Sequence, residues 1–337
     1  MAADDVSFVR CRFAEGRIDH ADGHLARAGS ALDEAISKAR GTDLVVASAW
    51  QGVLRAHQGR PDEAIDLLSA ASRPGHGVAA TSATLHALLF LGHAQANLGL
   101  AADALDSFER YTTEVERRSV PRFAGRGINF AGWVLRNIGA VDQGVESHQA
   151  ALQIAESVAG AEVLVAACED LAEAALVDGD LDACAQWLDR AASKLNGDLV
   201  FGWRLAMKLD WIGARATLAR GDARSARATA DRLAGWATTL GVPRYASSAR
   251  LVGAWAAAAL GEPVDRDAVD RDLDVIDQVV RLESWWITAE TAQHLERPDL
   301  FDRAATRVEE LCRSAGDHEA ALRVNGGRRI NELQSPG

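Results

Sequence analysis

Residues 52–71 read GVLRAHQGRPDEAIDLLSAA, and residues 92–111 read GHAQANLGLAADALDSFERY. Laid over each other, the two stretches share a small residue, a glycine seven positions later and an alanine five after that: Gly52, Gly59, Ala64 and Gly92, Gly99, Ala104. The same break recurs at Gly139, Gly179, Gly221 and Gly261, so successive breaks stand 40, 40, 40, 42 and 40 residues apart. A period of that length marks a stack of similar units, which fixes the architecture before any single element is considered.

Apolar residues recur at three- and four-residue intervals on both sides of each break, the pattern of two amphipathic helices joined by a short turn. Glycine at the break suits a left-handed residue closing the first helix, and Asp or Pro just after it suits the start of the second. Seven residues before the break stand Gly52, Gly92, Gly132, Ala172, Ala214 and Ala254; five after it stand Ala64, Ala104, Gly144, Cys184 and Ala226. Small side chains at fixed offsets let the helices of a pair approach closely. Alanine supplies about one residue in five, which favours helix throughout.

This arrangement is similar to the tetratricopeptide repeat, whose unit of about 34 residues is shorter. The units here lack its opening Trp and closing Pro, and Tyr111 stands where the second unit should carry its last Ala. Phrases such as RATLARGDARSARATADRLAGWATTLG (residues 215–241) also resemble the C-terminal helical arrays of bacterial multidomain regulators that carry a signalling ATPase and a DNA-binding domain. The resemblance implies an all-α fold, a right-handed α-solenoid of about seven helical hairpins spanning residues 1–324 as one domain. Gly16 with Ala21 and Leu25 reads as an atypical first pair, and Arg297 as the turn of the last. Residues 325–337, NGGRRINELQSPG, read as a C-terminal tail.

In such arrays the first helix of each pair lines the concave face. Carrying the family's inward positions onto this chain gives His86 and His93 in the second unit and Arg126, Asn129, Trp133, Arg136 and Asn137 in the third. Glu169 and Glu173 follow in the fourth, Lys208, Trp211 and Arg215 in the fifth, and Trp255 in the sixth. As residue types these suit a peptide: Arg offers a planar fork of donors to carboxylates and carbonyls, Asn both donates and accepts, and Trp gives rigid apolar area. Two readings stand side by side. Either the stripe binds a protein or peptide segment, with a small-molecule effector as the alternative ligand, or Arg and Glu on successive units pair with each other while the tryptophans fill gaps.

Other classes fit poorly. There are 48 Asp+Glu against 36 Lys+Arg, a formal net charge of −12, and only three lysines, which argues against a general phosphate-backbone binder. The sequence contains no G-x-x-x-x-G-K, G-x-G-x-x-G or G-x-S-x-G, so no enzymatic activity and no cofactor are expected. Cys11, Cys168, Cys184 and Cys312 are scattered, without a C-x-x-C, and read as free thiols in a reducing compartment. His20 and His24 have the i, i+4 spacing of metal-binding pairs, but Ala21 stands where a zinc hydrolase needs Glu; a solvated helix end is expected instead. The stretch 74–102 carries no Asp, Glu, Lys or Arg. Its histidines, glycines, Gln95 and Asn97 nevertheless make a membrane span a poor fit. Acidic residues at the N-terminus do not suit a signal peptide, so the expected location is cytoplasmic.

Overall fold

All six glycines at the predicted breaks adopt the left-handed backbone, with φ between +70° and +86°. Each closes one helix and aims the chain into the next, which is the turn geometry that the spacing demands. The structure, a computed structural model, describes residues 3–73, 78–195 and 199–335. Among these residues the chain is helix and turn only, with no strand.

Eight antiparallel pairs follow in order: α1 (Ala3–Ala21) with α2 (Leu25–Lys38), α3 (Gly41–His57) with α4 (Pro61–Ala71), α5 (Val78–Asn97) with α6 (Ala101–Arg118), and α7 (Arg126–Asn137) with α8 (Val141–Ser157). Next come α9 (Ala161–Val177) with α10 (Leu181–Ala192), α11 (Gly202–Ala219) with α12 (Ala223–Leu240), α13 (Pro243–Ala259) with α14 (Arg266–Val279), and α15 (Arg281–His294) with α16 (Pro298–Cys312). A final helix, α17 (Glu319–Gln334), caps the stack. The all-α solenoid is as expected, with eight pairs rather than about seven.

The small residues do what their spacing implies. A Cβ placed on Gly92 would stand 2.6 Å from the Phe108 ring, so α5 and α6 meet at a distance only glycine permits. The terminal pairs obey the same rule more closely than the sequence reading allowed. The first turn is at Gly23, with φ +84°, and Gly16 and Ala28 then fall at the usual offsets of seven before and five after it. The last turn is at Glu296, whose φ of +51° does the work of the missing glycine, one residue before Arg297.

Two further expectations are corrected. Residues 325–334, expected to begin the tail, are helical: α17 runs through them to Gln334, because Leu322, Gly326 and Ile330, four residues apart, bury one face of it; residues 336–337 lie outside the described residues. His20 and His24 do not share a helix face, since α1 ends between them; His20 is fully buried with Nε2 2.9 Å from His57 Nδ1, while His24 is exposed.

The array also winds back onto itself. Trp203 Nε1 donates to the His20 carbonyl at 3.1 Å, the Ala102 amide donates to the Ser314 carbonyl at 3.0 Å, and Asn325 Nδ2 donates to the Gly139 carbonyl at 2.5 Å. These joins link residues 183 to 212 positions apart, so pairs about five units distant touch. Turn glycines sit at the joins: a Cβ on Gly59 would approach Pro243 Cγ to 2.6 Å. The interior face of the solenoid is therefore covered by the chain's own later helices.

Candidate functional site

The inward stripe forms a buried ionic layer. Helices α7, α9, α11 and α15 each contribute charged side chains, Arg136 four residues after Gly132 and Glu173, Arg215 and Glu290 one after Ala172, Ala214 and Ala289. Arg136 donates to Glu173 at 2.7 Å, Arg215 donates to Glu173 and to Glu290 at 3.0 Å, and Arg329 of α17 lies 3.5 Å from Glu290. A second set runs beside it: Asn129 Nδ2 donates to Asp170 at 2.7 Å, Lys208 pairs with the other Asp170 oxygen, and His148 Nδ1 meets Asn129 Oδ1 at 2.9 Å. Between the two, Trp133 Nε1 donates to Glu283 at 2.6 Å, and Arg244 holds the same carboxylate at 2.7 and 2.8 Å.

Burial and neighbouring charge act against each other here. Burial alone would raise the pKa of Asp170, but Lys208, His148 and Arg136 outweigh it and hold the carboxyl below its ordinary range. Glu173 follows the same course: burial raises its pKa, and Arg136, Lys208 and Arg215 reverse the sign. Burial lowers the pKa of Lys208, and Asp170, Glu173 and Glu169 more than restore it. All three therefore stay ionised. His93 differs, because burial and the nearby Arg244, Arg204 and Lys208 all push its pKa far down and leave it neutral.

Glu169 is the exception among the carboxylates. It is fully buried, and neither side-chain oxygen has a hydrogen-bond partner. Burial drives its pKa well above the ordinary value, and Lys208 and Arg204 offset only part of that. It faces a cavity of about 30 Å³ shared with His93, Trp133, Arg204, Lys208 and Arg244. A neighbouring cavity of about 40 Å³ shares Asn129, Phe130 and Arg204 with the first and is otherwise mainly apolar, with Leu89, Phe90, Phe201 and Leu205 on its walls. Each space takes two or three waters at about 10–15 Å³ apiece.

The remaining predicted groove residues divide between this interior and plain packing. Arg126 pairs with Glu162 at the apolar cavity, and His86 packs its ring between Trp50 and Phe123 at 5.1 and 5.4 Å. Asn137 accepts from Trp286 Nε1 at 2.8 Å and bonds back to the Trp133 carbonyl. Trp211 is buried beneath the Arg215 guanidinium and beside Trp286. Trp255 lies apart: it donates to Thr291 at 3.2 Å and stacks on His294, away from both cavities.

Several site residues escaped the sequence reading. Glu283, Trp286 and Glu290 stand six and three before and one after Ala289, which precedes the Glu296 turn by seven; they are the inward stripe of an eighth unit. The last pair was recognised, but without a turn glycine its turn was read one residue late and its inward residues were not carried over. Arg204 and Arg244 stand ten before Ala214 and Ala254, one helical turn beyond the positions carried over. No potential metal cluster of His, Cys, Asp and Glu occurs among the described residues. No helix among them is long and apolar enough to cross a membrane.

The sequence matches no family model and no curated protein. Among the solved structures that match along nearly the whole chain are two Rap regulators. The Rap conjugation gene regulator of plasmid pLS20, in complex with the Phr* peptide, aligns over 97% of this chain and 96% of its own, with a TM-score of 0.59 and 11% identity. A Rap protein complexed with Competence and Sporulation Factor aligns over 97% of each chain, with a TM-score of 0.50 and 10% identity. At such identity the likeness is one of fold: the chain shares the helical-repeat architecture of these proteins over its full described length.

Proposed function

We propose that this protein is a non-enzymatic binding module whose interior face, on α7, α9, α11 and α13, receives a peptide or protein segment in bacterial regulation or complex assembly. The observation that carries the reading is the buried ionic and aromatic layer with Glu169 and Arg204 left unpartnered at its centre. Buried ion pairs add little stability over well-packed apolar residues of similar size. A layer of this kind is thus a poor device for holding a fold together and a good one for meeting a polar ligand. Both Rap structures are complexes, one with the Phr* peptide and one with Competence and Sporulation Factor, which supports the same reading. The resemblance of the repeats to helical arrays of bacterial regulators agrees with a regulatory setting.

A second reading, a small-molecule effector sensor, is favoured by one observation. Spaces of about 30 and 40 Å³ admit a small ligand directly, whereas an extended peptide requires α15 to part from α7 and α11. Hydrogen–deuterium exchange with a binder selected from a random peptide library tests the first reading. Protection is expected on α7, α9 and α11; a footprint on the outer helices α8, α10 and α12 overturns it. For the second, a metabolite panel read by thermal shift should yield a compound that raises the melting temperature as its concentration rises.

A further inference from the structure

The two unpartnered groups at the centre define the head group that the interior accepts. Glu169 offers both carboxyl oxygens and has no protein donor. Arg204 lines both cavities, forms no ion pair among the described residues, and its Nε is buried without an acceptor there. The other charges on these walls are engaged, Lys208 by Asp170, Arg244 by Glu283 and Arg126 by Glu162, and the Asn129 amide also donates to Asp170. What is missing is therefore one cation for Glu169 and, beside it, one acceptor oxygen for Arg204. Next to that pair lies an apolar space walled by Phe90, Phe130 and Phe201.

We infer that the cavity between α7, α9, α11 and α13 binds an α-aminoacyl head group: a primary ammonium on Glu169, the adjacent carbonyl or carboxylate oxygen on Arg204, and an apolar side chain in the neighbouring space. An ammonium is close to a water in size, so it enters the existing cavity without a change in the walls. The inference rests on the reading of the interior as the recognition surface. Two sources share this chemistry, the free N-terminus of a peptide and a free apolar amino acid.

One consequence separates this from a merely structural carboxyl. Burial holds the Glu169 pKa well above the ordinary carboxylate value, so the empty cavity favours the protonated form more than water does. Lys208 and Arg204 of α11 offset burial in part, and Asp170 and Glu173 on its own helix act in the opposite direction; Arg244 and Tyr245 of α13 and the neutral His93 of α5 complete the wall. An arriving ammonium ionises Glu169, so binding releases a proton.

Isothermal titration calorimetry in two buffers of different ionisation enthalpy reads both quantities. The probes are leucinamide, leucine and trileucine, with N-acetyl-leucinamide and N-acetyl-trileucine as controls. Free-amine probes should bind with release of a proton, and acetylation should cost about tenfold or more in affinity, as expected for loss of a charge-assisted bond. Binding by trileucine but not leucine or leucinamide identifies a peptide N-terminus; binding by leucine identifies a free amino acid. Glu169→Gln should abolish the proton release and weaken every free-amine probe, and Glu169→Leu should do the same while unfolding no more easily than the wild type. Equal affinity of acetylated and free probes overturns the inference, and leaves the peptide reading standing if trileucine binds in both forms. No binding by any probe, with a library-selected peptide still protecting α7, α9 and α11, also overturns the head-group assignment alone. Loss of that footprint as well overturns both.

Discussion

Glu173 is the joint of the ionic layer, and its removal gives the sharpest test of the packing. It lies 2.7 Å from Arg136 and 3.0 Å from Arg215, with side-chain exposures of 4% for Glu173, 9% for Arg136 and 4% for Arg215. At an effective dielectric near 20 each contact is worth about 6 kcal/mol in gross Coulomb energy, most of it offset by desolvation. Replacing Glu173 by Leu leaves Arg136 without an ionic partner, while Arg215 retains Glu290 at 3.0 Å. The expected loss is that of a broken buried pair, about 3–5 kcal/mol, read as the shift of a urea unfolding curve followed by far-ultraviolet circular dichroism. Glu173→Gln keeps an acceptor and should fall at the lower end. Adding Arg136→Met to Glu173→Leu removes the orphaned charge and should restore about 1–2 kcal/mol, since an apolar pair can stand in for a buried ionic one. A Glu173→Leu cost below about 1 kcal/mol, or a double variant no better than the single, would refute the ladder as drawn.

Three further outcomes follow from the same geometry. His20 is fully buried, its pKa lowered by desolvation to about 3; His86 is lowered by burial, then by Arg126, to about 4. Below pH 6.5 the unfolded chain takes up protons that these folded residues refuse, so stability should fall from pH 6.5 towards 4 by roughly 1.4 kcal/mol per pH unit per histidine, and His20→Gln should flatten the slope. Glu169 acts in the opposite direction: its folded pKa is raised, so its contribution is full below the ordinary carboxylate value and is lost as pH rises from there, and Glu169→Gln should gain on the wild type in unfolding midpoint between pH 5 and 8. Gly59 and Gly261 share a φ of +70°, yet only Gly59 faces a neighbour, Pro243; Gly261→Ala should cost the backbone term of about 1–2 kcal/mol, and Gly59→Ala distinctly more, by the same urea assay. Trp255→Phe should lower the unfolding midpoint and leave trileucine affinity unchanged, because that ring packs against His294 and Thr291 rather than the cavities.

Much of this molecule was legible in one dimension because its rules are local. A left-handed turn needs glycine, and a close helix contact needs a small residue; both therefore print themselves at fixed offsets from Gly59 to Gly261. Where a turn used another residue the pattern blurred: the last turn was read at Arg297 rather than Glu296, and Glu283 and Glu290 were not carried over. The stripe itself was found, but its state was not. The pairing reading holds for Arg136, Glu173 and Arg215, which satisfy one another, whereas Glu169, on the same helix as Glu173, has no partner among the described residues. Residue type cannot separate a paired carboxylate from an orphaned one four positions away.

The repeat period, the helical class, the turn positions and the inward register were set by the sequence alone, through steric constraints that act within one unit. Whether the interior is open or covered was decided only by tertiary structure. A small rotation between each pair and the next accumulates over about five units until Trp203 meets His20 and Ser314 meets Ala102. No single unit encodes that sum, and contacts about two hundred residues apart leave no periodic trace. The covering of the solenoid by its own later helices, and the two small cavities that remain beside Glu169, are products of that accumulated winding.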